Sequence, residues 1–291
     1  MRRIKLEKAT LNIKDISMET FKGKAIYNPA GPAGEYSRWA CNFYMGCSND
    51  CDYCYCKEYP LGIYWSTSPT LKRMLVNPNR AIEIFTYELL KNKEELQKYG
   101  LFFSFTTDPM LTETIKLTLN AALICLDNDV PVKILTKRAD FLESESWLYF
   151  SAKYMTSLRK KNVAIGFTLT GHDEREPNAS SNAERIAAMR QLYEMGFKTF
   201  SSVEPIITFE KAKQVIEQTM DCCHLHQIGL MDKGKEYNYG ELYDFINWLI
   251  RSKDGFVGKI FLKHSVMKKL DITLGHLPFT FVGKKYNLFN Q

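Results

Sequence analysis

Cys47-Ser48-Asn49-Asp50-Cys51-Asp52-Tyr53-Cys54 is the stretch whose reading decides the rest of the chain. Its three cysteines are separated by three and then two residues, inside an aromatic-rich run from Trp39 to Tyr59, and Tyr53 and Tyr55 flank the third. Thiolates at this spacing fit on one tight loop and can point at one metal centre. A 4Fe–4S cube has four irons and normally takes four protein thiolates. Three ligands leave one iron free to bind another molecule, as a catalytic zinc site keeps one coordination position open.

Other uses of the same cysteines are weaker. A structural zinc site wants a second ligand pair downstream, but after Cys56 the next cysteine is Cys125 and the first histidine is His172. Cys41 and Cys56 could complete a local zinc knot, which would make the protein a non-catalytic zinc-binding interaction module. A disulfide framework is poorly served by eight cysteines in 291 residues, and no secretory signal is expected, since Met1 to Glu7 turns polar at once. No apolar run has the length of a membrane helix. The expected setting is cytoplasmic, with no membrane partner. The net charge of +6 permits an anionic partner, and its basic residues fall in small groups such as Lys137-Arg138 and Lys268-Lys269.

Outward from the cysteines, the chain alternates. Residues 1–38 read as an N-terminal extension, part strand and part loop, with turn formers from Asn28 to Gly34. Ala40 to Met45 reads as a first strand. Asn77-Pro78 caps a helix carrying Ile82, Phe85 and Leu89. Leu101–Thr107, Val132–Thr136, Val163–Thr170, Phe197–Val203 and Leu225–Leu230 read as buried parallel strands, and Val257–Leu262 as one more. Between them lie helical stripes at Leu117, Ala121 and Ile124, at Trp147, Phe150, Tyr154 and Leu158, at Phe209, Ala212, Ile216 and Met220, and at Leu242, Phe245, Ile246 and Leu249. A further helix is opened by the capping box Ser181/Glu184 and stopped by Gly196. Six strand–helix alternations with short links predict one parallel α/β domain. Periodicity leaves open whether its sheet closes.

The Cys-x3-Cys-x2-Cys pattern with Tyr53 before the last cysteine resembles the signature of the radical S-adenosylmethionine superfamily. From Asn42 to about Ile207 the chain is similar to its spore photoproduct lyase and DNA-repair-photolyase-like branch. The similarity runs through Thr106-Thr107-Asp108, Leu135-Thr136-Lys137, Glu176-Pro177-Asn178-Ala179-Ser180-Ser181, Glu184-Arg185 and Glu204-Pro205-Ile206.

This resemblance implies a partial (β/α)6 barrel over 39–263, with 1–38 as N-terminal extension and 264–291 as C-terminal cap. It implies a 4Fe–4S cluster on Cys47, Cys51 and Cys54, and S-adenosylmethionine as cofactor, with an electron donor such as flavodoxin or ferredoxin. Cofactor contacts would come from Tyr53, Thr106, Thr107, Asp108, Lys137, Thr168, Thr170 and Glu204, and hydrogen transfer from Tyr55 or Cys56. Buried without a partner Glu204 would be costly, so it is expected to meet a polar group in a cavity. The implied reaction is hydrogen abstraction by a 5′-deoxyadenosyl radical from nucleic acid, or alternatively from a peptide or small metabolite. The branch departs at Phe105, where spore photoproduct lyases carry the cysteine that returns hydrogen to the product.

Overall fold

The computed structural model describes residues 20–58, 60–153, 160–231 and 235–290. The expected helical positions Tyr154 and Leu158 lie outside these, as do residues 1–19 of the expected extension. The main sheet has the order β1 (Ile26–Tyr27), β2 (Ala40–Cys41), β5 (Leu101–Phe103), β6 (Val132–Thr136), β7 (Val163–Thr168), β8 (Lys198–Val203), β9 (Leu225–Ile228) and β10 (Lys259–Leu262). β1 runs antiparallel to β2, and every pairing from β2 to β10 is parallel. β1 and β10 end the sheet and do not pair with each other, so it is an open barrel, the point that alternation alone left undecided.

Local signals set most element ends. Asn77 accepts from the N–H of Arg80 and starts α1 (Pro78–Lys91). The two-way capping box of Ser181 and Glu184 starts α5 (Asn182–Glu194). The other helices are α2 (Lys93–Tyr99), which the apolar pattern did not reveal, α3 (Ile115–Asp127), α4 (Glu145–Lys153), α6 (Phe209–Glu217), α7 (Tyr239–Arg251) and α8 (His264–Leu270).

The expected strands 163–170, 197–203, 225–230 and 257–262 lose one or two end residues, and two others are cut much shorter. Ala40–Met45 divides into β2 and a separate β3 (Tyr44–Met45), which pairs antiparallel with β4 (Thr70–Leu71) outside the main sheet. Asn42 causes the break: it donates to the Tyr27 hydroxyl and accepts from the N–H of Phe105, so the chain leaves the sheet there. The strand expected over Leu101–Thr107 stops at Phe103, where Ser104 turns its hydroxyl onto the carbonyl of Thr107.

The strands bury both faces, as parallel strands under helices do. Val163, Ile165 and Phe167 face the helix layer, while Ala40, Phe102, Ala164, Phe200, Leu225 and Phe261 line the barrel interior. Gly166 makes room there, since a Cβ at this position would lie 2.4 Å from the Phe200 ring. The C-terminal chain completes the interior. Phe281 bridges to Ile260, Leu288 is fully buried among the interior side chains, and Asn287 donates to the carbonyl of Lys98 just before β5. This tail therefore fills the end of the barrel where β5 starts. No helix among the described residues is long and apolar enough to cross a membrane.

One buried group makes stability depend on pH. His226 on β9 is fully buried, with Nε2 3.1 Å from the Thr219 hydroxyl, and burial pushes it down to about 3. In the unfolded chain it takes a proton near 6.5. Its contribution is therefore complete above pH 6.5 and is lost as pH falls toward 3, by about 2 kcal/mol between pH 6.5 and pH 5. Urea unfolding across that range should show this loss, and His226→Gln should reduce it, leaving the share of His224, which burial also pushes down to about 4. An unchanged slope in the variant would reject the assignment.

Candidate active site

Gly46 admits the chain to the cysteine loop with φ +86, and a Cβ there would lie 2.6 Å from the carbonyl of Ser66. Only glycine tolerates both conditions. The N–H of Cys47 donates to that same carbonyl, so the β3–β4 excursion braces the first cysteine.

The loop is then held by one carboxylate. Asp108, buried after β5, accepts four hydrogen bonds: from Asn49 Nδ2 at 2.8 Å, the N–H of Met110 at 3.0 Å, Thr136 Oγ1 at 2.6 Å and the N–H of Lys137 at 2.7 Å. It thus ties the cysteine loop to the ends of β5 and β6. The resemblance implies a cofactor contact for Asp108, and in the structure its oxygens accept from neighbouring loops. Asn49 and Thr136 carry no sequence signal for this role.

A second anchor holds Tyr53. Its hydroxyl donates to Glu176, whose other oxygen accepts from Arg185. Glu176 and Arg185 have side chains fully removed from solvent. Arg185 also donates to the carbonyl of Thr168 at 2.6 Å and of Ser181 at 3.3 Å. This explains the Glu176-to-Arg185 motif as a buttress. A signal for it was present: Arg185 shares the buried stripe of Ala188, Met189 and Leu192, where a charge demands a partner. On the outer side, Arg175 grips Asp52 through side chain and backbone.

Lys137 lies with its ammonium 5.5 Å from the centre of the Tyr53 ring. Burial disfavours its charge, but Cys51 and Glu176 outweigh that and hold it above its ordinary value. Burial pushes the Cys47 thiol up to about 12 and raises Cys51, whereas Lys137 opposes the rise at both. Between Cys54 and Cys56, the hydrogen bond between the two sulfurs favours thiolate at Cys54 and thiol at Cys56. The Cys56 sulfur also lies 3.4 Å from the carbonyl of Phe105, an alternative acceptor for its single hydrogen, and the exposed Tyr55 hydroxyl donates to that oxygen.

These residues fit an iron–sulfur cluster and its ligand. Three thiols share one loop near a half-buried lysine, the counter-charge that clustered thiolates need. Among the described residues no three His, Cys, Asp or Glu side chains gather as ligands of a single metal ion would. A cube spreads its thiolates over separate irons. Asn49 Oδ1 and Thr107 Oγ1 are buried polar atoms without a protein partner beside Asp108, and such atoms mark a cradle for polar ligand groups.

The remaining expected residues divide. Thr106 gives its hydroxyl to the carbonyl of Tyr44. Thr168, the last residue of β7, and Thr170 just beyond it are buried, with the Thr168 carbonyl joined to the loop through Arg185, Glu176 and Tyr53 and Thr170 accepting from the N–H of His172. Glu204 lies apart. It accepts from Lys263 Nζ at 2.7 and 2.6 Å and from the Tyr36 hydroxyl, beside a cleft, as its burial required. Tyr36 and Lys263 were not legible in advance.

Breaking the Glu176–Arg185 pair should be severe. Arg185→Leu strands a buried carboxylate and is expected to cost about 3–5 kcal/mol, whereas Arg185→Leu with Glu176→Leu should cost less. Urea midpoints of the two variants check the order; a double variant worse than the single would refute it.

No protein-family model matches the chain. An uncharacterized protein of Methanocaldococcus jannaschii is 26% identical over 279 residues, 89% of this chain and 96% of that protein. Spore photoproduct lyase carrying a cysteine-to-serine change aligns with TM-score 0.56 at 15% identity, over 84% of this chain and 79% of its own. The same enzyme complexed with dinucleoside spore photoproduct aligns with TM-score 0.55 at 15% identity, over 81% and 78%. SuiB of Streptococcus suis, bound to S-adenosylmethionine, gives 0.52 at 11% identity, over 77% of this chain but only 47% of its own. The fold of this chain is the partial parallel barrel of spore photoproduct lyase.

Proposed function

We propose that this protein is a radical S-adenosylmethionine enzyme acting on nucleic acid. The observation that carries the reading is the cysteine loop after β2, fastened by Asp108 to the ends of β5 and β6 with Lys137 beside its thiols. The catalytic end of a parallel barrel is where strands deliver their carboxyl ends. Cys47, Cys51 and Cys54 would hold a 4Fe–4S cluster, leaving one iron for S-adenosylmethionine. When bound and reduced, by a donor such as flavodoxin or ferredoxin, this pair supplies a 5′-deoxyadenosyl radical that takes a hydrogen atom from the substrate.

The chain's own residues set the surroundings. Asp108 keeps the loop fixed, and the Tyr53 ring, pinned by Glu176, forms one wall with Lys137 above it. Thr106, Thr107, Thr168 and Thr170 offer polar groups at the strand ends. Cys56, buried against the carbonyl of Phe105, carries an S–H bond weak enough to return hydrogen to a product radical. Tyr55 reaches the same carbonyl and can share that task. Phe105 cannot, because phenyl C–H bonds are far stronger. Its ring stacks on Phe102 at 4.5 Å, in the barrel interior. The reaction is therefore related to spore photoproduct repair without being identical to it. Nucleic acid as substrate is supported by the fold shared with a lyase solved with a dinucleoside, and by the net charge of +6.

Anaerobic reconstitution with iron and sulfide tests the cluster. Wild type should turn brown, absorbing broadly near about 400 nm. Cys51→Ala should lose most of the iron and Cys125→Ala should keep it; a full cluster in Cys51→Ala would sink the assignment. Reduced with dithionite, the loaded enzyme should release 5′-deoxyadenosine from S-adenosylmethionine, faster with DNA or RNA. Binding of the nucleic acid should weaken steeply with salt. Turnover stimulated by a peptide or small metabolite instead would overturn the substrate class while leaving the chemistry standing.

A further inference from the structure

A cleft of about 990 Å³ opens beside Glu204, between the turn Gly31–Glu35, helix α8 and the chain over 272–284. That is the upper end of the size range of small-molecule sites. Its floor is apolar, made by Leu230, Met231, Phe261, Met267, Leu277 and Phe281. Apolar surface ringed by polar groups marks a binding site more often than chance.

The charges around it are uneven. Lys263 is already engaged by Glu204 at 2.6 Å, with Glu35 at 3.8 Å. Among the described lining residues, the other lysines, Lys235, Lys268, Lys269 and Lys284, are joined by a single further carboxylate, Glu236. Lys235 gives its ammonium to the carbonyl of Ile207. Lys268, Lys269 and Lys284 are solvent-exposed and form no ion pair among the described residues. Two of them occupy the last turn of α8, where the helix carbonyls favour cations. That does not account for Lys284, which reaches the same cleft from the C-terminal chain. Gly283 brings it there by packing against Leu274, 3.1 Å from where a Cβ would stand.

We propose that this cleft binds an organic phosphate, its anionic head among Lys268, Lys269 and Lys284 and its apolar body along Met231 and Phe281. Several ammonium groups suit a multiply charged phosphate, which lysine binds as a point charge. The floor suits a body with a ring or short hydrocarbon, which inorganic phosphate lacks. Among the described residues, a relay through Glu204, Tyr36 and Phe105 joins the site to the cysteine loop. Binding requires neither iron nor S-adenosylmethionine, and the proposal stands or falls apart from the radical chemistry.

The probe is 4-methylumbelliferyl phosphate, titrated into the full-length protein by calorimetry at low and high salt. 4-Methylumbelliferone supplies the body without the head, and inorganic phosphate the head without the body. The expected result is saturable binding of the whole probe, weaker at high salt, with both fragments binding less tightly. Lys268→Gln/Lys269→Gln/Lys284→Gln should lose at least about tenfold in affinity, with Lys116→Gln, an exposed position of α3, unchanged. Circular dichroism shows whether the triple variant is folded, and the single Lys284→Gln carries the test if it is not. Absent binding to wild type, equal affinity in the folded lysine variants, or equal affinity for the umbelliferone would each overturn the proposal.

Discussion

The arrangement of this protein rests on the buried carboxylate of Asp108. A carboxylate out of water is tolerated only when its oxygens are filled by donors. Asp108 fills them from the cysteine loop, its own turn and the end of β6. Because those donors belong to three separate segments, the requirement to satisfy one charge fixes their relative positions. The cysteines are placed by this constraint more than by their own loop, which makes few backbone hydrogen bonds within itself. The thiols then meet the ammonium of Lys137, whose backbone N–H is one of the same four donors.

Other buried charges follow the same rule. Glu176 and Arg185, both without solvent, satisfy each other and spend their remaining groups on Tyr53, Thr168 and Ser181. Glu204 and Lys263 form a comparable pair with Tyr36, whose ring lies 4.4 Å from the Lys263 ammonium. Such pairs add little net stability over apolar packing but specify one arrangement, since each partner alone would be costly. Here they lock loop ends, where irregular backbone would otherwise have several choices.

The open sheet creates the second constraint. Seven parallel strands that stop short of closure leave an interior exposed between β1 and β10. The tail closes part of it with Leu288 and Phe281, and Glu88 secures the other edge by accepting the N–H groups of Lys24, Ala25 and Ile26. The cleft beside Glu204 is what the tail and α8 leave uncovered.

Much of this was legible in the residues alone, wherever neighbours in sequence decide the outcome. Cysteine spacing defined the loop, the Ser181/Glu184 box defined the start of α5, and apolar runs located β6 to β10 within a few residues. Short-range rules suffice there, because capping and periodicity involve residues within a turn of one another. The expected strand Ala40–Met45 failed because Asn42 found partners in Tyr27 and Phe105, which local pattern cannot anticipate. Nor does local pattern show that Asp108, read by resemblance as a cofactor contact, gathers donors up to 59 residues away. Lys263 reaches Glu204 across the same separation. Only strand register and the openness of the barrel bring such groups together, so tertiary structure alone decided which charges meet, where the interior remains open and which lysines are left facing the cleft.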